Sequence, residues 1–180
     1  WSARSHEPGS MRDGELLIGW GCATAVYPTH VGPAAARVRL LPSGEARVQI
    51  AAHDLGTGAY TVIAQMAAER LHVPLDKIEV ELGDSELPPA PVAGGSNTTA
   101  SACSAVMKAC DAIRAKLFLG TAADRPRETT GTSAQSPVPQ DLGAAFERLG
   151  MGAIEEYAEF IPEGGKPDAL RQLYEGKPGL

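Results

Sequence analysis

Two short stretches carry residue types that could do chemistry. The first is His53-Asp54-Leu55-Gly56-Thr57-Gly58, where two glycines flank a threonine. The second is Val92–Thr99 (VAGGSNTT), where a double glycine ending at Gly95 precedes Ser96, Asn97, Thr98 and Thr99. Each opens a run with helical spacing: Val62, Ile63, Met66, Ala67, Arg70 and Leu71 after the first, Thr99, Cys103, Val106, Cys110, Ile113 and Leu117 after the second. Glycine lets the backbone take positive φ and lets a ligand come close. The first amides of a helix have no partner inside it. Together with the helix dipole they attract an anion, commonly a phosphate. The expected chemistry is therefore anion binding. A lone G-x-G is a weak signal, because many strand-to-helix turns need glycine only to turn. Four polar residues after the second double glycine exceed what a helix N-cap needs. With free backbone N–H groups they would form an anion cradle.

The elements that must position these turns follow from periodicity. Ala35–Leu41 and Ala46–Ala52 alternate around Pro42-Ser43-Gly44-Glu45, which reads as a hairpin. Arg37, Arg39 and Arg47 on those strands read as a solvated or partner-facing surface. A helix over Ala59–Leu71 is stopped by Pro74, with His72 expected to favour the helix dipole as a C-terminal residue. Lys77–Gly83 alternates as a strand, with Ile78, Val80 and Leu82 inward. The second helix is expected over Thr98–Leu117. Leu16–Tyr27 (LLIGWGCATAVY) reads as a further strand, and its G-W-G-C-A run lacks the spacing and following helix of a dinucleotide fingerprint. The expected fold is α+β: a small mixed or antiparallel sheet with two main helices packed on one face.

The remainder divides into a polar N-terminal loop or linker (1–15), a main unit (16–119), a Ser/Thr/Pro-rich linker or long loop (120–140) and a C-terminal appendage (141–180). In the appendage, Asp141–Leu149 reads as a short helix, Gly152–Ile161 could be a strand, and Asp168–Tyr174 forms a helical turn. Apolar residues make up 43% of the 180, enough to form a core, while aromatics are only 5%, so alanine and glycine must do much of the filling. A net charge of −6 without a basic run argues against nucleic acid or an anionic membrane as a partner. No apolar stretch reaches the roughly 20 residues of a membrane span. Cys22, Cys103 and Cys110 are too few and too scattered for a disulfide framework or a metal cluster, and read as small apolar residues. No metal ligands are assigned.

Taken together, the stretch GWGCATAVYPT…ARVQIAAHDLGTGAYTVIAQMAAERLHVPLDKIEVELGDSELPPAPVAGGSNTTASACSAV resembles the molybdenum-cofactor-binding large subunit of the xanthine dehydrogenase and aldehyde oxidase family, in its bacterial aldehyde-oxidising branch. The resemblance runs from about Gly19 to Leu117. It implies a molybdopterin cofactor, in the cytosine dinucleotide form common in bacteria. It implies that Gly56, Thr57 and Gly58 form one wall of the cofactor cleft, and Gly95, Ser96, Asn97, Thr98 and Thr99 another. Many members carry glutamine where Thr57 stands, and threonine reaches less far. The catalytic glutamate of the family lies in a G-E-x-G run that this sequence lacks, so no catalytic residue is assigned. The resemblance implies a segment whose partners are the remaining lobes of the large subunit and separate iron–sulfur and FAD subunits. Its compartment would be cytoplasmic, or periplasmic if exported with a partner. Three functions stay open at this point: the pterin-gripping segment of a molybdenum hydroxylase, a non-catalytic cofactor-binding module, and a folded fragment without ligand.

Overall fold

The computed structural model describes residues 1–118 and 141–175. A four-stranded mixed sheet organises them, built from β3 (Ala34–Leu40), β4 (Ala46–Gln49), β5 (Ile78–Glu81) and β6 (Ile154–Phe160). A separate two-residue ladder pairs β1 (Arg12–Asp13) with β2 (Leu16–Leu17). The strand order in the main sheet is β5-β4-β3-β6. The expected hairpin is β3–β4, antiparallel with Val38 opposite Val48, and Gly44 at φ 83° makes its turn. β5 runs parallel to β4. Parallel neighbours need a crossover, and helix α1 (Ala59–Leu71) supplies it.

The Leu16–Tyr27 strand does not form beyond Leu17. Residues 18–33 make no sheet pairing, and Trp20, Val26 and Tyr27 stand exposed. The physical reason lies beside β3. That slot is taken by β6, which pairs with β3 over seven residues from Ala34–Phe160 to Leu40–Ile154. With that side of β3 paired along its whole length, residues 18–33 find no ladder partner there. β6 comes from the 141–180 segment, after the short helix α3 (Leu142–Leu149), whose N-cap Asp141 accepts the Ala144 N–H. The segment ends in α4 (Ala169–Tyr174), with Ala169 and Leu170 buried. The expected linker at 120–140 lies outside the described residues.

Helix α2 (Thr98–Phe118) and α1 cover one face of the sheet. α2 meets it with Ala102, Ala105, Val106, Ala109, Cys110, Ile113 and Leu117, all nearly or fully buried. α1 contributes Ile63, Ala67 and Leu71, and the strands contribute Val38, Leu40, Val48 and Ile50. Each fully buried Val, Ile or Leu contributes about 1.5–3 kcal/mol. The alanines let the helix axis lie close, which is how so few aromatics suffice. An Arg70–Asp111 ion pair at 2.8 Å ties α1 to α2. Lys108 Nζ donates to the Glu159 carbonyl at 3.1 Å and ties α2 to β6. The opposite sheet face is charged: Arg37 meets Glu155 at 3.9 Å, and Arg47 meets Glu79 and Glu81 at 3.2 Å each. Such exposed pairs add little stability.

His72 caps α1 differently from the expectation. It adopts the left-handed conformation (φ 53°) that usually belongs to glycine. Burial pushes its imidazole below the usual range, and the nearby Arg114 adds to this. The residue therefore ends the helix by its backbone, as a neutral side chain.

Candidate functional site

The two glycine turns lie at the same end of the sheet, and each is shaped by a different device. After β4 the chain stays sheet-like as far as Ala52, whose carbonyl accepts the Gly83 N–H at 2.9 Å. Asp54 then folds the backbone over its own side chain. Its Oδ1 accepts the N–H of Gly56 at 2.9 Å and of Gly58 at 3.1 Å, and Oδ2 accepts that of Tyr60 at 3.3 Å. Gly56 (φ 92°) and Gly58 (φ 81°) take left-handed conformations that other residues resist. Gly58 is the N-cap of α1, so the carboxylate takes the N-cap amide and, at Tyr60, one amide of the helix's first turn. Partial desolvation pushes the Asp54 carboxyl up. The N–H groups of Tyr60, Gly58, Gly56 and Thr57 outweigh it and hold the group below the usual carboxylate range. Asp54 is therefore ionised at neutral pH.

The second turn holds no carboxylate, and no acidic residue stands in the first turn of α2. Gly95 (φ 62°) and Ser96 (φ 55°) are both left-handed, and Ser96 is one of only two such non-glycine residues among those described. The Gly95 carbonyl accepts the His30 N–H at 3.3 Å, and a Cβ at Gly95 would sit 2.6 Å from the His30 ring. Ser101, fully buried, accepts the Gly32 N–H at 2.9 Å and donates to Asn97 Oδ1 at 2.5 Å. Residues 30–32 are thereby laced to the start of α2.

A cavity of about 670 Å³ opens between the turns. Leu55 and Thr57 line it from the first turn, Ala93, Gly94 and Ser96–Ala100 from the second, and Thr29 from the preceding arm. Of the sequence candidates, Thr57, Ser96, Asn97, Thr98 and Thr99 meet in this space. Gly56, Gly58 and Gly95 shape the backbone and are not among its lining residues. Sequence reasoning placed Thr99 on the apolar face of α2. It is exposed instead, on the cavity side. Sequence reasoning also missed Asp54, Thr29 and Ser101. An Asp two residues before a glycine is a readable turn signal; nothing local marks Thr29.

The chemistry of the lining suits a phosphate-bearing, polar cofactor. Thr29, Thr57, Ser96, Thr98 and Thr99 offer hydroxyls and Asn97 an amide, none of them ionisable near neutrality. The N-terminal end of α2 supplies a positive partial charge. Gly94 lines the cavity with neither a positive φ nor any atom within 4 Å of where a Cβ would stand. Its lack of a side chain leaves open space that a guest could use. Among the described residues no cluster of His, Cys, Asp and Glu could hold a metal ion by itself. No described helix is long and apolar enough to cross a membrane.

Known proteins resemble the chain along most of its length. Residues 1–158 match the family model of the molybdopterin cofactor-binding domain. The chain is 41% identical over 114 residues to the aldehyde oxidoreductase molybdenum-binding subunit PaoC of Escherichia coli O157:H7, covering 63% of this chain and 16% of that subunit. It thus spans about a sixth of the length of that relative. Among solved structures it superposes on CO dehydrogenase from Oligotropha carboxidovorans with a TM-score of 0.59 at 21% identity, covering 74% of this chain and 18% of that one. Quinoline 2-oxidoreductase from Pseudomonas putida 86 matches with a TM-score of 0.52 at 21% identity, over 73% of this chain and 19% of that one. At such identities the structural matches speak for the fold alone, and the α+β architecture is theirs in part. The family match covers well over half the chain, so this protein belongs to the molybdopterin cofactor-binding domain family.

Proposed function

We propose that the chain is the cofactor-gripping segment of a larger molybdenum hydroxylase of the aldehyde oxidoreductase type. The observation that carries this is the meeting of both glycine turns on one cavity. In this reading Thr57 forms one wall, and Ser96, Asn97, Thr98 and Thr99 form the other, with Gly56, Gly58 and Gly95 setting the backbone beneath them. The hydroxyls, with the Asn97 amide that Ser101 and Val92 hold in place, would hold polar edges of the pterin, and the start of α2 would favour its phosphates. The cytosine dinucleotide form is the reading for a bacterial aldehyde-oxidising relative.

When bound, the cofactor supplies two-electron redox chemistry at its metal. This chain's part is binding and orientation, since no residue lining the cavity can exchange a proton near neutral pH. Catalytic groups come from the remaining lobes of the large subunit, and electrons leave through iron–sulfur and FAD subunits. The assembly is cytoplasmic, or periplasmic where a partner carries it across.

The test is elemental molybdenum and oxidised-pterin fluorescence on the purified chain, with CMP release on acid hydrolysis reporting the dinucleotide. Near-stoichiometric pterin in the wild type, reduced when Thr98 and Thr99 are both replaced by valine, supports the reading. Pterin loading left unchanged by the double valine variant sinks it, whereas a chain that melts cooperatively yet carries no pterin is a folded segment whose cofactor needs the remaining lobes.

A further inference from the structure

Both oxygens of Asp54 are engaged, and the amides they hold lie on either side of Thr57. Thr57 itself lines the cavity, while a Cβ at Gly56 or Gly58 would meet nothing within 4 Å. Packing therefore does not fix this turn from outside; its own carboxylate does. A carboxylate is also the kind of guest that a helix N-terminus accepts. We infer that Asp54 is a positioning residue that presents Thr57 to the cavity and, by taking the Gly56, Gly58 and Tyr60 amides with a negative charge, turns an anion in the cavity toward the α2 terminus. This rests on the reading that the cavity holds the cofactor.

Asp54→Ala removes all three bonds. Asp54→Asn keeps an Oδ1 acceptor for Gly56 and Gly58 and loses the acceptor for Tyr60. Two readouts on the full chain separate this role from simple loss of folding. The first is pterin per folded chain. It should fall about fivefold in Asp54→Ala, as the turn's competent shape becomes a minority, and recover most of the way in Asp54→Asn. The second needs no cofactor: amide resonances of Gly56, Gly58 and Tyr60 during titration with inorganic phosphate. In the wild type they should stay still, and in Asp54→Ala they should move.

Equal loading by wild type and Asp54→Ala overturns the inference, as does failure of Asp54→Asn to recover. Phosphate-induced movement of those amides in the wild type also overturns it, as does their stillness in Asp54→Ala. A wild type that binds no pterin shows that loading needs the remaining lobes, and the phosphate titration then decides the place of Asp54.

Discussion

The first and second glycine turns share a sequence signature and differ in what fills them. At Asp54–Gly58 the chain brings its own anion, which takes the turn amides of Gly56 and Gly58 and the Tyr60 amide of the helix's first turn. At Gly94–Thr99 the loop is held from behind, by Ser101 and His30, and its polar side chains are left to face the cavity. A glycine run before a helix therefore says that a turn is present. What decides whether an anion can enter is the partner of the first amides, and a carboxylate two residues upstream answers that question before any ligand arrives.

The deepest difference is in what supports each turn. α2 carries the second turn on a fully buried face, so its opening depends on the core. Val106→Asp places a carboxylate at a position of zero exposure and should cost more than about 4 kcal/mol. The cooperative thermal transition should vanish. A retained sharp melt would mean that α2 does not anchor the fold.

Next in size is Ser101→Ala, which leaves the half-buried Gly32 N–H without its acceptor and should cost about 1 kcal/mol by urea denaturation. The same substitution should loosen residues 29–32 without touching the first turn, visible as faster amide exchange at Gly32 and unchanged exchange at Gly58. Equal change at both would erase the distinction between a turn held from behind and one held by itself.

Much of this was legible in the sequence, for identifiable reasons. The Val38–Val48 hairpin, α1 and α2 announce themselves by period, because each has one buried and one wet face. Thr57 stands out between two glycines, and Ser96–Thr99 because four hydroxyl or amide residues after a double glycine exceed any local need. The pairing of β6 with β3 was not legible, since local pattern marks a strand but is silent on which distant segment it pairs with. The exchange of roles at the α1 start was missed for a different reason. Asp54 looks like an ordinary turn residue, and only the three amide distances reveal that it stands where a phosphate was expected.

Two alanine substitutions of similar size then set the turns against each other. Gly58→Ala forces a side chain into φ 81° with open space around it. The strain of a left-handed residue should cost about 1–2 kcal/mol and lower the melting temperature. Gly94→Ala meets neither strain nor contact within this chain, so stability should stay within about 0.5 kcal/mol of wild type. Its added methyl nevertheless occupies open space at the wall of the cavity, and under the proposed function pterin loading should fall while the melt does not move. The pair dissociates two meanings of glycine: at Gly58 the backbone requires it, and at Gly94 only a guest could. If Gly94→Ala loads as well as wild type, that second meaning is lost, and Gly94 is glycine for no reason the cavity supplies.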